Sequence, residues 1–154
     1  MAVSGPGLTP GYLRNPSANA EAFRDGWFRT GDEGVVLDGQ LYLRGRLKEM
    51  IIRGGENISP AAIEDVLRSH PAVVEAVCFG LDDDRYGQQV GAAVIASEPV
   101  SEAELRDHCR VSLAAFKVPS RIAVVDDLPR TPTGKLQRRL VAQALFPPDE
   151  KRGG

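Results

Sequence analysis

The chain has 154 residues, 42% hydrophobic and 26% charged, with a formal net charge of −2. That length suits one ordinary core, or one domain with a flanking piece. The near balance of charge, without a run of one sign, points away from a nucleic-acid partner or an anionic membrane surface.

Two cysteines, Cys78 and Cys109, make neither a disulfide framework nor a metal site, and both sit in apolar or helix-like surroundings that suit buried thiols. The start MAVSGPGLTPGY has no basic segment followed by an apolar one, and no apolar stretch reaches membrane-spanning length. A cytoplasmic protein with no membrane span is the expectation.

Residues 1–20 are rich in Gly, Pro, Ser and Asn, and read as irregular apart from a short helix near 18–23. Two short strands, 35–37 and 41–45, flank Asp38-Gly39, a hairpin-turn signal. IIRGGENISP (51–60) reads as a strand, a glycine loop and a helix start, with Ser59 as cap and Pro60 in the first turn. Ile63, Val66 and Leu67 then recur at helical spacing until His70-Pro71.

VVEAVCFG (73–80) and VGAAVIA (90–96) read as strands joined by the polar link DDDRYGQQ. Ser101 and Glu104 have capping-box spacing and open a helix with Leu105, Cys109 and Leu113 on one stripe. A strand at 121–127 leads to the polar loop LPRTPTGK, and a last helix over about 134–145 carries Leu136, Leu140, Val141 and Leu145. The tail FPPDEKRGG reads as disordered. The whole predicts an α+β fold, helices packed on a small sheet, preceded by a short hairpin-containing segment.

Several residues invite a chemical reading beside a plainer one. Lys135 in PTGKLQ is not part of a phosphate-binding P-loop, because the glycine such a loop needs five positions before Gly134 is Pro129. With Thr133 as a helix cap, Lys135 would lie in the first turn beside free N–H groups, a setting that suits an anion. A solvated surface lysine is the simpler alternative. Asp32 follows a glycine and could hold a ribose diol or cap a turn. Arg46 and Lys48 could be a solvated edge. Gly54 and Gly55 could mark only a tight turn. His70 and His108 lack metal or triad spacing and receive no role.

Taken together, FRTGD (28–32), GRLKEMIIRGGENISPAAIE (45–64) and LPRTPTGKLQRR (128–139) resemble, in order and spacing, the C-terminal part of the adenylate-forming (AMP-binding) enzymes. GPGLTPGYLRNPSANAEAF (5–23) resembles the segment that precedes the TGD motif. The composition of the second and third motifs resembles the acyl-CoA synthetase branch. The resemblance implies that residues 1–47 end a large N-terminal AMP-binding domain, that 48–147 form a C-terminal lid domain, and that 148–154 are a tail.

It also implies an ATP-dependent, AMP-forming ligase of lipid metabolism, a fatty acid-CoA ligase or its aryl equivalent. An acid attacks ATP to give acyl-AMP and pyrophosphate, and CoA then displaces AMP. Carried over to this sequence, Lys135 acts in adenylation, Asp32 and Arg46 bind nucleotide, and Lys48 is the hinge. Arg53, Gly54 and Gly55 form the loop beside the CoA channel, and Tyr86 and Phe116 lie against the CoA adenine. No metal ligand is implied in these residues. ATP with Mg would be held mainly by the large domain, which also carries the acyl pocket and which a separate chain could supply; CoA is the second cofactor, and this chain alone is expected to be inactive. A non-catalytic binding or interaction module built on the same lid is the alternative.

Overall fold

The computed structural model describes residues 1–147; the tail expected at 148–154 lies outside them. The chain divides into two compact units, Met1–Lys48 and the part from Glu49 onward.

The first unit is built from short strands. β1 (Ala2–Val3), α1 (Pro16–Ala22), β2 (Phe23–Arg24) and β3 (Trp27–Arg29) come first, and β3 lies between β1 and β2 in an antiparallel sheet. The Asn15 side chain caps α1 by accepting from Ala18 N–H at 3.1 Å, so the helix starts earlier than the expected 18–23. β4 (Asp32–Leu37) and β5 (Gln40–Arg46) form the expected hairpin. Asp38 and Gly39 turn it with φ of 50° and 76°, the pair of positive values a type I′ turn requires.

The second unit is α+β. After a 3-10 turn at Leu47–Glu49 come β6 (Ile51–Arg53), β7 (Glu56–Ile58) and α2 (Pro60–Arg68). The glycine pair therefore turns a hairpin rather than leading straight into the helix. β7 is hard to see in the sequence because of its three residues only Ile58 is buried. β8 (Val73–Asp83) and β9 (Gly87–Ala96) form a long antiparallel pair. Their ladder runs on through Asp82↔Gln88 and Asp83↔Gly87, well into the polar stretch read as a link. Exposure of side chains at the sheet's end does not interrupt backbone pairing.

α3 (Glu102–Ser112) opens on the complete Ser101–Glu104 capping box. β10 (Arg121–Val124) lies parallel to β9 and stops short of Asp126-Asp127, so it is three residues shorter than expected. α4 (Arg138–Leu145) closes the described chain.

The middle stretches of β8 and β9, Ala76–Phe79 and Val90–Val94, are apolar because both faces of the sheet are covered there. Alternate residues serve opposite faces. Ala76, Cys78, Ala92 and Val94 join Ile63 and Leu67 of α2 and Leu105 and Cys109 of α3 in one cluster. Val77, Phe79 and Ala93 join Leu128 and Val141 in the other, with Leu136 and Leu145 packed against it. Among the described residues no helix is long and apolar enough to cross a membrane.

Candidate functional site

The candidate residues fall on both units, and each unit presents its own group. In the first, Asp32 begins β4 and Arg46 ends β5, so the hairpin register sets them opposite each other. Arg46 Nε lies 2.9 Å from Asp32 Oδ1. The turn ahead of Asp32 is fastened by Leu47 N–H, which donates to Gly31 O at 2.8 Å, and by Asp32 N–H, which donates to the Thr30 hydroxyl at 3.1 Å. The Asp32 side chain is half-buried and that of Arg46 mostly exposed. The carboxylate is thus held by its turn while the guanidinium keeps access to solvent. Lys48 is the last residue of this unit and lies within the 3-10 turn.

In the second unit the glycine hairpin and Tyr86 come together. Gly54 and Gly55 have φ of 58° and 88°, again the two positive values of a type I′ turn, which other L residues adopt at a cost. Gly54 N–H donates to Tyr86 O at 2.8 Å, and the Arg53 guanidinium stacks over the Tyr86 ring at 4.3 Å. Asp83 holds the neighbouring loop by accepting from Tyr86 N–H at 2.8 Å and Arg85 N–H at 3.1 Å. The Tyr86 N–H bond above all holds the Asp83 carboxyl below its ordinary range.

Phe116 lies in a 3-10 turn and packs partly against the core. An open cleft of about 560 Å³ is lined by Arg53, beside Tyr86, and by Ala115, next to Phe116. Arg106 and Arg110, four residues apart on α3, line it as well. Each is paired with a carboxylate of the same helix, Arg106 with Glu102 and Arg110 with Asp107, and this part of the cleft had no signal in the sequence beyond that spacing.

Lys135 does not occupy the first turn of a helix. Arg130 and Leu136 pair as an antiparallel bridge, and the residues between them form a tight loop. Gly134 N–H donates to Thr131 O at 2.8 Å, Lys135 N–H donates to the Thr131 hydroxyl at 3.0 Å, and Thr131 N–H donates to Lys135 O at 2.8 Å. Gly134 has φ of 80°, which breaks the helical path, and α4 begins only after Gln137. The cap function expected of Thr133 is replaced by these Thr131 bonds. The N–H groups of Gly134 and Lys135 are taken, so they are not available to back a bound anion. Arg130 ties the loop to Glu75 of β8 at 2.6 Å, and Leu136 packs on the core. A fixed loop therefore carries an exposed ammonium group.

The two histidines also meet. His108 Nε2 lies 3.0 Å from Val66 O and 2.9 Å from Ser69 Oγ, at the C-terminal end of α2, and its ring meets His70 edge-on at 5.1 Å. This arrangement closes a helix end. Both cysteines are fully buried, as their surroundings suggested. Burial pushes the Cys109 thiol up to about 11 and also raises Cys78 well above the usual thiol range.

Residues 62–135 match the AMP-binding enzyme C-terminal domain family. They form such a domain. The chain is 49% identical to the oxalate–CoA ligase of Arabidopsis thaliana over 146 residues, which is 93% of this chain and 28% of that protein. It is 48% identical to the 2-succinylbenzoate–CoA ligase of Bacillus licheniformis, covering 90% of this chain and 29% of the relative. The o-succinylbenzoate CoA synthetase of Bacillus subtilis, solved with its acyl-adenylate intermediate, superposes with a TM-score of 0.85 at 42% identity. That match covers 90% of this chain and 29% of the other. The chain thus spans under a third of the length of these relatives.

Proposed function

We propose that this chain is the C-terminal portion of an ATP-dependent, AMP-forming CoA ligase, which joins a carboxylic acid to CoA through an acyl-adenylate. The observation that carries the reading is the match of some nine-tenths of the chain to CoA ligases at 48–49% identity. In this reading residues 1–47 finish a large AMP-binding domain, and the part from Lys48 to residue 147 is a lid that turns between two orientations, one for each half-reaction.

In the adenylation orientation the Lys135 ammonium meets the charge that develops between carboxylate and α-phosphate. The fixed Thr131–Lys135 loop supports this role, since electrostatic stabilisation needs a charge already in place. Asp32 accepts from the ribose hydroxyls, and Arg46, paired to it, lies toward the phosphates. In the thioester orientation the Gly54–Gly55 turn borders the channel for the CoA thiol arm. Tyr86 and Phe116 offer ring faces to the CoA adenine, and the arginine-lined cleft beside them suits the charge of a nucleotide. Among the described residues no group of three or more His, Cys, Asp or Glu is placed to hold a metal. In this reading the magnesium that accompanies ATP is held mainly by the large domain, and no step here runs through it. The acid is a fatty or aryl carboxylic acid, and the relatives' names add oxalate and 2-succinylbenzoate to the panel worth testing.

The test is complementation. The chain mixed with, or fused to, an AMP-binding body of a CoA ligase should release pyrophosphate and form a thioester with some acid of the panel. The chain alone should do neither, because its 154 residues include no Gly/Ser/Thr-rich phosphate loop. Turnover by the chain alone, or none with any body, would contradict the proposal and favour a binding module.

A further inference from the structure

Arg138 opens α4 three residues after Lys135, and no acidic residue stands in that first turn. A cation at a helix N-terminus opposes the macrodipole. Two carboxylates from distant parts of the chain offset it. Glu64 of α2, only 5% exposed, pairs with Arg138 Nη1. Glu49, 45% exposed, lies 2.8 Å from Arg138 Nε.

The inner pair also completes the sheet. Glu64 Oε1 accepts from Cys78 N–H at 2.8 Å, and Arg138 Nη1 donates to Cys78 O at 3.2 Å. The Cys78 peptide on β8 thus finds side-chain partners for both its groups. One guanidinium joins the helix after the Lys135 loop, α2, the edge strand β8 and the residue that follows Lys48. A buried Arg–Glu pair stabilises a fold little better than apolar residues of the same volume would. Geometry is the better account of why the charges are there.

We propose that Arg138 is a positioning residue for Lys135, with Glu64 as its fixed arm and Glu49 as its adjustable one. The functional half of this proposal rests on the role given to Lys135 above; the structural half does not.

The structural half is tested on the chain itself by amide exchange. Glu49→Gln, at a half-exposed site, and Arg138→Lys, which keeps the charge and loses the fork, should each speed exchange at Gly134 and Lys135. Ala93 and Val94, in the sheet, should stay protected. An unchanged loop, or loss of protection everywhere, would overturn the proposal.

The functional half is tested in the complemented ligase. Arg138→Lys should slow acyl-adenylate formation by up to about 100-fold, the scale of a misplacement near 1 Å. Thioester formation from supplied acyl-adenylate should be unaffected. In a Lys135→Ala background Arg138→Lys should cause no additional loss. Additive losses, or equal slowing of both steps, would refute the positioning role. Normal adenylation by Lys135→Ala alone would instead refute the role of Lys135, leaving the exchange result to decide what Arg138 holds.

Discussion

Gly55→Leu separates the folding role of the glycine hairpin from its proposed role at the thiol channel. Gly55 has φ of 88°, and a side chain in the left-handed region costs about 1–2 kcal/mol. A Cβ built at Gly55 meets nothing within 4 Å, so the backbone conformation is the cost to be expected within the unit. At Gly54 a Cβ would meet only Tyr86 Cδ1 at 3.5 Å, an ordinary contact. Gly55→Leu should therefore lower Tm by roughly 2–8 °C in a chain of this size. Gly55→Asn should lower it less, because asparagine tolerates the same backbone region. In the complemented ligase both variants should form acyl-adenylate at the parental rate. Gly55→Leu should then form thioester from supplied acyl-adenylate more than tenfold slower than Gly55→Asn, since it alone carries bulk into the channel (a loss above about 1.4 kcal/mol in barrier). Single-turnover quench measurements of the two steps read this directly. Equal thioester rates for Leu and Asn would refute the channel assignment. Equal loss of both steps would reduce the hairpin to a folding element.

Leu67→Ala, at a fully buried position between α2 and the sheet, should cost about 2–5 kcal/mol by denaturant titration; a loss below 1 kcal/mol would deny that this face is the main core. The buried thiols should give no reaction with an aromatic disulfide reagent at pH 8 until the chain is unfolded. Burial raises the Cys109 thiol from 9.0 to about 11, so between those values the unfolded chain sheds protons that the native chain keeps. Stability should therefore fall as pH rises through that window, and Cys109→Ala should flatten the fall. Lys48→Pro fixes φ at the proposed hinge. It should abolish steady-state turnover while sparing one half-reaction; parental turnover would remove Lys48 from the hinge.

Elements with short-range causes were legible in the sequence. Ser101 and Glu104 announced α3, Asp38-Gly39 announced the first hairpin, and the spacing of Ile63 and Leu67 marked the buried face of α2. The apolar cores of β8 and β9 followed from burial on both faces. The start of α4 was not legible, because Thr131 captures the Lys135 N–H and Gly134 turns left-handed. Those choices depend on the Arg130–Leu136 bridge and on Glu75, which lies 55 residues from Arg130 in sequence.

The site was legible as residue types, through the order of three motifs, but not as geometry. Asp32 and Arg46 meet only because the β4–β5 register, with its irregularity at Glu33/Gly34, sets them opposite each other. Arg138 and Glu64 lie 74 residues apart, beyond the reach of any periodicity. Burial of Glu64 on the sheet side of α2 makes sense only once its partner is seen.

The most direct test of the account is Lys135→Ala in the complemented ligase, with each half-reaction followed in a single turnover. Acyl-adenylate formation should fall by about 10²–10³-fold, the loss of one preorganised charge, or about 3–4 kcal/mol. Thioester formation from supplied acyl-adenylate should proceed at the parental rate, because that step uses the other orientation. Equal slowing of both steps, or an unchanged rate of adenylation, would contradict it.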